Sequence, residues 1–575
     1  MSRIGVFVCH CGHNIAGTVD VERVVDEIQQ HPGVTFAAHY KYMCSDPGQQ
    51  LIRQSIAEHQ LDGVVVAACT PTMHEGTFRR TVADVGLNPY RFESANIREQ
   101  VSWVHQQDTR AATRKALEIT RSTVEKVSGN EALEPLKLPL TRRALVIGGG
   151  IAGLQAALDI ADAGYPVVLV EREARLGGKM ADLSGTYLNF SASPDLLRQK
   201  IETVTHHPHI QVLTSAEVQE TSGYVGNFQA VISLAAGSAP GSSQSCPQPF
   251  TFAIGAIVVA TGWDRYNQAR LPEYGGDGMP DVIDTLTFER MLADREEIRR
   301  PSDGRVPQEV VFIQCAGSRD PKHGVPYCSK VCCMVVAKQA MFYRERVPTG
   351  QAYVFYIDIR SAGKGYDEYV QRAIEEQQVL YLRGKVSKVA PDGDKVTVWG
   401  VDTLSGRALE IAADLVVLAT PMVPSRGATE LGQRLRISTD GNGFFNEAHP
   451  KLRPVETMSA GIFVAGAGQG PKDIPETVTQ ASAAAAKVLQ LFAHTEMTQS
   501  PLVATVIAEL CAACGACVSA CPYGAREIHP VWQIATVNPA LCQSCGACAV
   551  VCPNKASQVH NWRPAQVMAM IDEVV

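Results

Sequence analysis

No uninterrupted apolar run in this chain reaches membrane-spanning length, so no transmembrane helix is expected. Met1-Ser2-Arg3-Ile4 passes directly into a strand-like run, and a secretory signal is not expected either. The chain also lacks a basic run. Its net charge of −7 and pI near 6.1 speak against a surface for nucleic-acid backbones. With 45% apolar and 19% charged residues it has ordinary material for buried cores. Its 575 residues suit about three or four domains. Together these absences lead to an expectation of a cytoplasmic protein with no nucleic-acid partner.

Cysteine, by contrast, is abundant. Seventeen in a cytosolic chain point to metal or redox chemistry rather than to a disulfide framework. They fall into four sets of four: Cys9, Cys11, Cys44 and Cys69; Cys315, Cys328, Cys332 and Cys333; Cys511, Cys514, Cys517 and Cys521; Cys542, Cys545, Cys548 and Cys552. Cys246 is left over in a Gly/Ser/Pro-rich loop over 237–249 and reads as an ordinary loop thiol.

The chain is organised around Ala144 to Ala157, where an apolar strand-like run ends in GxGxxG at Gly148, Gly150 and Gly153 and passes into a Leu/Ala helix. Strand, glycine turn and helix is the context a dinucleotide cradle requires, with bare backbone and a helix N-terminus facing a pyrophosphate. Ile151 and Ala152 open that helix. Glu171, 23 residues after Gly148 at the end of the next strand, is the ribose candidate, with Arg172 beside it. Gly177-Gly178, with Lys179, follows where flavoproteins often make a second phosphate turn. Ala260-Thr261-Gly262 and Gly466 each close a further strand, and Pro475 starts a helix running to about Leu489. These pieces, in this order, make an FAD domain the expectation.

Residues 1 to about 95 alternate strands and helices: Ile4 to Val8, a helix over Val21 to Gln29, Val34 to His39, a helix over Gly48 to His59, Gly63 to Ala68, and a helix near Phe78. That alternation predicts a parallel sheet whose carboxyl ends carry Cys9, Cys11, Cys44 and Cys69, able to converge on one cluster. Free thiols without metal are the alternative, because these spacings match no general cluster motif. A helix is expected from Arg98 to Lys126, then a linker over Glu131 to Pro139.

Near Pro307 the pattern restarts as a second dinucleotide domain: a strand at Glu309 to Gln314, a helix over 328–345, and a strand at Tyr353 to Asp358. Its phosphate turn is missing. The chain reads Cys315-Ala316-Gly317-Ser318 where glycines should stand, and Cys328-Ser329-Lys330-Val331-Cys332-Cys333 opens the next helix. On a helix Cys328 and Cys332 would share a face, with Cys333 adjacent and Cys315 closing the set around a 4Fe-4S cubane. A redox disulfide is the competing reading.

The tail repeats Cys-x2-Cys-x2-Cys-x3-Cys-Pro at Cys511 and, 31 residues on, at Cys542. In this bacterial-ferredoxin pattern the fourth cysteine of each run ligates the other cluster. Cys511, Cys514, Cys517 and Cys552 would hold one cubane, and Cys542, Cys545, Cys548 and Cys521 the other. Zinc ribbons use separated Cys-x2-Cys pairs and fit poorly.

Five stretches resemble HdrA, the iron-sulfur flavoprotein of heterodisulfide reductase: Cys9-His10-Cys11-Gly12 with Asn14-Ile15-Ala16-Gly17; Tyr40 to Gly48; Cys69-Thr70-Pro71 with Met73-His74-Glu75; the Cys315 to Cys333 group; and Gly468 to Pro475. The resemblance implies a noncovalent FAD, clusters at the N-terminal and Cys315 groups, and a terminal ferredoxin module. It further implies a homodimeric core, partner subunits B and C, ferredoxin, and a hydrogenase or formate dehydrogenase module. It places Lys472 near flavin N5 as the catalytic candidate; a solvated lysine at a helix N-terminus is the plainer alternative. The methanogen form carries an extra ferredoxin module inserted in the FAD domain, whereas this chain has only Cys246 between Gly178 and Ile254, a shorter variant.

The expected architecture is α/β throughout its first 500 residues: an N-terminal parallel α/β iron-sulfur domain (1–130), a disulfide-reductase-like FAD fold in two parts (141–305 and 401–500), and between them a nicotinamide-domain-like segment with a 4Fe-4S cluster (306–400). An α+β 2[4Fe-4S] ferredoxin domain (501–575) follows. The expected function is electron transfer through FAD and four 4Fe-4S clusters, with bifurcation or confurcation between partners. Two readings compete with it: an NAD(P)H-oxidising flavoprotein resembling the glutamate synthase small subunit, against which the lost second GxGxxG argues, and a non-catalytic zinc scaffold.

Overall fold

The computed structural model describes residues 2–188, 193–234, 249–293 and 297–575; Cys246 and most of its loop lie outside them. The chain divides into two compact units, Met1–Leu138 with Met497–Val575, and Pro139–Glu496.

In the first unit, β1 (Ile4–Cys9), α1 (Val21–Ile28), β2 (Val34–Tyr40), α2 (Asp46–His59), β3 (Gly63–Ala68), α3 (Pro71–Ala83) and β4 (Phe92–Asn96) build a parallel sheet of order β2-β1-β3-β4. Alternation along β1 splits its side chains between two cores. Ile4, Val6 and Val8 pack with α1 and with α4 (Thr109–Ser128), while Phe7 and Cys9 face Met43, Cys69 and Phe78. The fourth strand is not anticipated by the sequence pattern. Nor is Arg98 to Lys126 one helix. Arg98–Ser102 forms a short π turn, Asp108 caps a new helix by accepting from the Ala111 amide, and the segment between is irregular.

The C-terminal module of this unit is two antiparallel ribbons, Ala504–Val506 with Ser557–Val559 and Arg526–Ile528 with Ala535–Val537, and two short helices. Its halves repeat in backbone detail: Gly515 and Gly546 both sit at φ 76°, ψ −7°. The C-terminal helix Pro564–Asp572 packs on α4, where Gln566 Nε2 donates to the Lys126 carbonyl (3.2 Å) and Asn130 Oδ1 (3.0 Å).

The second unit holds two parallel five-stranded sheets. The first runs Ile462–Val464, Ala256–Val259, Ala144–Ile147, Val167–Val170, Ile210–Leu213. Ala144 and Val146 point to the helices Ile151–Asp162 and Ile474–Phe492, and Leu145 and Ile147 to the opposite face. The second sheet runs Val282–Asp284, Leu415–Leu418, Glu309–Ile313, Gln351–Tyr356, Leu380–Arg383, so its strands reach outside 306–400 on both sides. A three-stranded antiparallel sheet accompanies each: Ala216–Tyr224, Asn227–Leu234 and Phe250–Ile254 in the first, and Val386–Asp392, Lys395–Asp402 and Arg407–Ala413 in the second. Two dinucleotide-type halves of this kind form the disulfide-reductase-like FAD fold.

One expectation fails at the second half. The helix starts at Cys332, not at 328, and ends at Arg346. Lys330 stands at φ 65°, a left-handed conformation that a helix cannot contain, and the Ser329 hydroxyl accepts from the Met422 amide. Cys328 therefore lies on a turn ahead of the helix and shares no helix face with Cys332.

Candidate flavin cavity and cysteine clusters

A cavity of about 1180 Å³ opens at the carboxyl ends of the first sheet. Its floor is bare backbone. Gly148 sits at φ 111°, and a Cβ there would lie 2.4 Å from the Ala260 carbonyl oxygen. Gly150 faces Gly178, whose own Cβ would come within 3.0 Å of the Gly150 Cα. Ile151 and Ala152 begin the helix whose N-terminus points its free amides here. Gly153 and Gly466 do not line the cavity. They let elements pack behind it, a Cβ on Gly153 reaching 1.8 Å from the Gly148 oxygen and one on Gly466 2.9 Å from Ala152.

Glu171 is buried at the rim, accepting from the amides of Gly149 (2.6 Å) and Glu173 (2.8 Å), so its carboxylate is fixed in orientation. Arg172 and Lys179 also line the cavity, and both pair with Asp264, at 3.7 and 3.2 Å. Ala260, Thr261, Gly262 and Pro475 complete the predicted set on its wall. Among the described residues the buried Thr261 hydroxyl has no hydrogen-bond partner, a donor left for a ligand. Glycine cradle, helix N-terminus, oriented carboxylate and orphaned hydroxyl fit a dinucleotide such as FAD.

Lys472 lines the same cavity, its ammonium hydrogen-bonded to Gln469 Oε1 and to the Gly470 carbonyl (3.3 Å). Burial lowers its pKa to about 8, against the pull of Glu476 and Glu447. Asp473, next in sequence, caps the helix Ile474–Phe492 through the Glu476 amide and accepts from two phenols, Tyr187 (2.8 Å) and Tyr366 (2.7 Å). Burial, then the Asp473 charge, pushes the Tyr187 phenol up; burial takes Tyr366 to about 12.

A buried pair on the cavity wall has no signature in the sequence. Lys338 Nζ donates to Glu289 Oε2 (2.8 Å) and the Gly185 carbonyl (2.7 Å), and Ser184 and Gln339 complete the carboxylate's partners. Both side chains are buried, so the charge is matched at close range. A lysine in a helix reads as a surface residue, and only the tertiary packing of 184–185 over it shows otherwise.

Cys315, at φ 58° just past its strand, joins Cys328, Cys332 and Cys333 in one group close enough for their charges to interact. Burial pushes the thiols of Cys315 and Cys332 up and that of Cys333 to about 11. As thiolates the four would need compensating positive charge, of the kind iron would supply. Cys332 lines the dinucleotide cavity as well.

In the N-terminal sheet, Cys9 accepts from the amides of Cys11 (3.2 Å) and Met43 (3.4 Å), and Arg98 Nη1 lies 3.1 Å from Cys11 Sγ. Cys9 feels the like charges of Cys11 and Cys44, and Cys69 that of Cys11, so the four share one neighbourhood. Burial takes Cys69 to about 11.

The tail forms two cavities. Cys511, Cys514, Cys517 and Cys552 line one; Cys521, Cys542, Cys545 and Cys548 line the other. Backbone amides point at the sulfurs: Ala535 to Cys511, Ala525 to Cys521 and Ala504 to Cys542, each at 3.3 Å. The strand Ala504–Val506 pairs with Ser557–Val559, and Cys552 lies in the cavity of the first run.

A family model for an FAD binding domain matches residues 143–219, and one for a 4Fe-4S dicluster domain matches 510–556. FAD and iron-sulfur clusters are thus the cofactors of this oxidoreductase. Among curated proteins, a CoB--CoM heterodisulfide reductase iron-sulfur subunit of Methanopyrus kandleri is 42% identical across 92% of this chain and 91% of its own length. The equivalent subunit of the H(2):CoB-CoM heterodisulfide,ferredoxin reductase of Methanothermobacter thermautotrophicus is 38% identical across 92% and 90%. That of the H(2)/formate:CoB-CoM heterodisulfide,ferredoxin reductase of Methanococcus maripaludis is 38% identical across 91% and 90%. At that identity, sustained over nearly the whole of both chains, this protein belongs to the HdrA family of heterodisulfide reductase iron-sulfur flavoproteins.

Proposed function

We propose that the chain is the FAD and iron-sulfur electron-transfer subunit of a heterodisulfide-reductase-like complex, with flavin-based bifurcation or confurcation between partner subunits and ferredoxin. The observation that carries this reading is Cys332, a member of the Cys315 group that also lines the dinucleotide cavity, so that one side chain connects the two sites. Bound FAD supplies the exchange between paired and single electrons. Gly148, Gly150, Ile151, Ala152 and Gly178 would hold its pyrophosphate, Glu171 its ribose, and Lys472 Nζ would hold a proton within the cavity. The sixteen grouped cysteines would ligate four 4Fe-4S clusters, one per set.

Subunits B and C, ferredoxin, and a hydrogenase or formate dehydrogenase module are the proposed partners of a homodimeric cytoplasmic core. The names of the Methanothermobacter and Methanococcus relatives, with their ferredoxin, hydrogen and formate, support that set. Among the described residues no helix is long and apolar enough to cross a membrane.

The test is anaerobic stopped-flow on the isolated chain. NADH and NADPH are expected to leave the flavin absorbance unchanged, because Cys315 and its turn stand where a second phosphate cradle would be; reduced ferredoxin is expected to bleach it. Rapid bleaching by either nucleotide would replace this reading with the NAD(P)H-oxidising alternative.

A further inference from the structure

Arg526 begins a short ribbon strand in the C-terminal module and is only 5% exposed. A buried guanidinium normally has a carboxylate opposite it, because desolvating an unmatched charge is costly. Here its Nη2 donates to the Ser557 hydroxyl, while Nε and Nη1 have no hydrogen-bond partner among the described residues. The side chain borders both cysteine cavities, and no other charged residue among those described lines either one.

The internal repeat explains the location. Ser557 stands 31 residues after Arg526 and is its counterpart in the second half. One member of the pair is a cation and the other a small hydroxyl that anchors it, so the single charge lies where the two halves meet.

We propose that Arg526 is a shared electrostatic positioning residue for the two ferredoxin-type clusters, raising the reduction potential of both. This rests on the reading of the two cavities as cluster sites. Reduction adds one electron to a cluster already made negative by four thiolates, and a desolvated cation beside it favours the more negative form. Nε and Nη1, with no hydrogen-bond partner among the described residues, are donors left for cluster sulfur, and hydrogen bonds of that kind would act in the same direction.

The experiment is a redox titration of the full chain, followed by EPR, with iron and acid-labile sulfide counted in each sample. Arg526→Gln is expected to keep the clusters and to lower the midpoints of both by a tenfold or greater change in the oxidised-to-reduced ratio, about 59 mV for one electron. Arg526→Lys, which keeps the charge, is expected to stay near the parent values. Unchanged midpoints in a fully loaded Arg526→Gln protein overturn the proposal and leave the cluster assignment intact. If the glutamine variant loses clusters, retention in Arg526→Lys at parent potentials supports a charge requirement; loss in both makes the role steric and overturns it. Absence of ferredoxin-type clusters from the parent protein would sink the cluster reading itself, and this proposal with it.

Discussion

Lys472 shows what one residue's surroundings can do to its chemistry. Burial, with the Lys330 charge adding to it, lowers its pKa to about 8 against the pull of Glu476 and Glu447. Its folded value lies below its ordinary one. The unfolded chain therefore binds more protons between about pH 8 and pH 10.5, and stability contributed by this group rises with pH across that window. For function the direction reverses. In the role proposed for it, the ammonium would be present below about pH 8 to stabilise an anionic reduced flavin, and above that pH the help would be withdrawn. Lys472→Met should retain FAD, because the cradle glycines are untouched, yet lower the flavin reduction potential and remove a change of slope near pH 8 from its pH dependence. A variant with parent potentials at every pH would end the role proposed for Lys472 and leave the FAD domain standing.

At the scale of elements, two glycines in helices separate packing from propensity. Gly153 lies in the helix Ile151–Asp162, where a Cβ would press to 1.8 Å of the Gly148 oxygen; the strand, turn and helix meet only because nothing is there. Gly153→Ala should cost about 1–3 kcal/mol, as overpacked positions do, and lower FAD occupancy. Gly76, in α3, has nothing within 4 Å of an added Cβ. Gly76→Ala should instead stabilise by about 0.5–1 kcal/mol through helix propensity alone. Thermal melts with flavin absorbance on the two variants check both; equal effects would mean that the close approach at Gly153 is relieved by movement elsewhere. The helix at Cys332 belongs to the same scale. Left-handed Lys330 shortens it and leaves Cys328 on a turn, so the four thiols gather by loop geometry rather than along a helix face.

Over the whole molecule, the proposed four clusters on sixteen cysteines predict a stoichiometry. A fully loaded chain should carry about 16 iron and about 16 acid-labile sulfide, from four cubanes. Cys332→Ser should lower iron by about four. A reconstituted parent that never exceeds about eight irons would keep the ferredoxin module and remove the N-terminal and Cys315 clusters.

The parts of this protein that local chemistry specifies were legible in the residues alone. Parallel βα units show as apolar runs alternating with amphipathic stretches, the glycine turn at Gly148 announces itself because only glycine tolerates that backbone, and the doubled cysteine run names its own cluster type. α4 starts later than its composition suggests because one capping aspartate, Asp108, outweighs a helical composition that runs on either side of it. What only the tertiary structure decided involves residues distant in sequence. Lys338 becomes a buried cavity residue because 184–185 and Glu289 fold over it. Asp473 binds two tyrosines from separate segments, and Arg526 comes to border two cysteine cavities through the repeat partner Ser557. No periodicity or spacing encodes these, since each depends on desolvation and charge matching across contacts that exist only once the chain is folded.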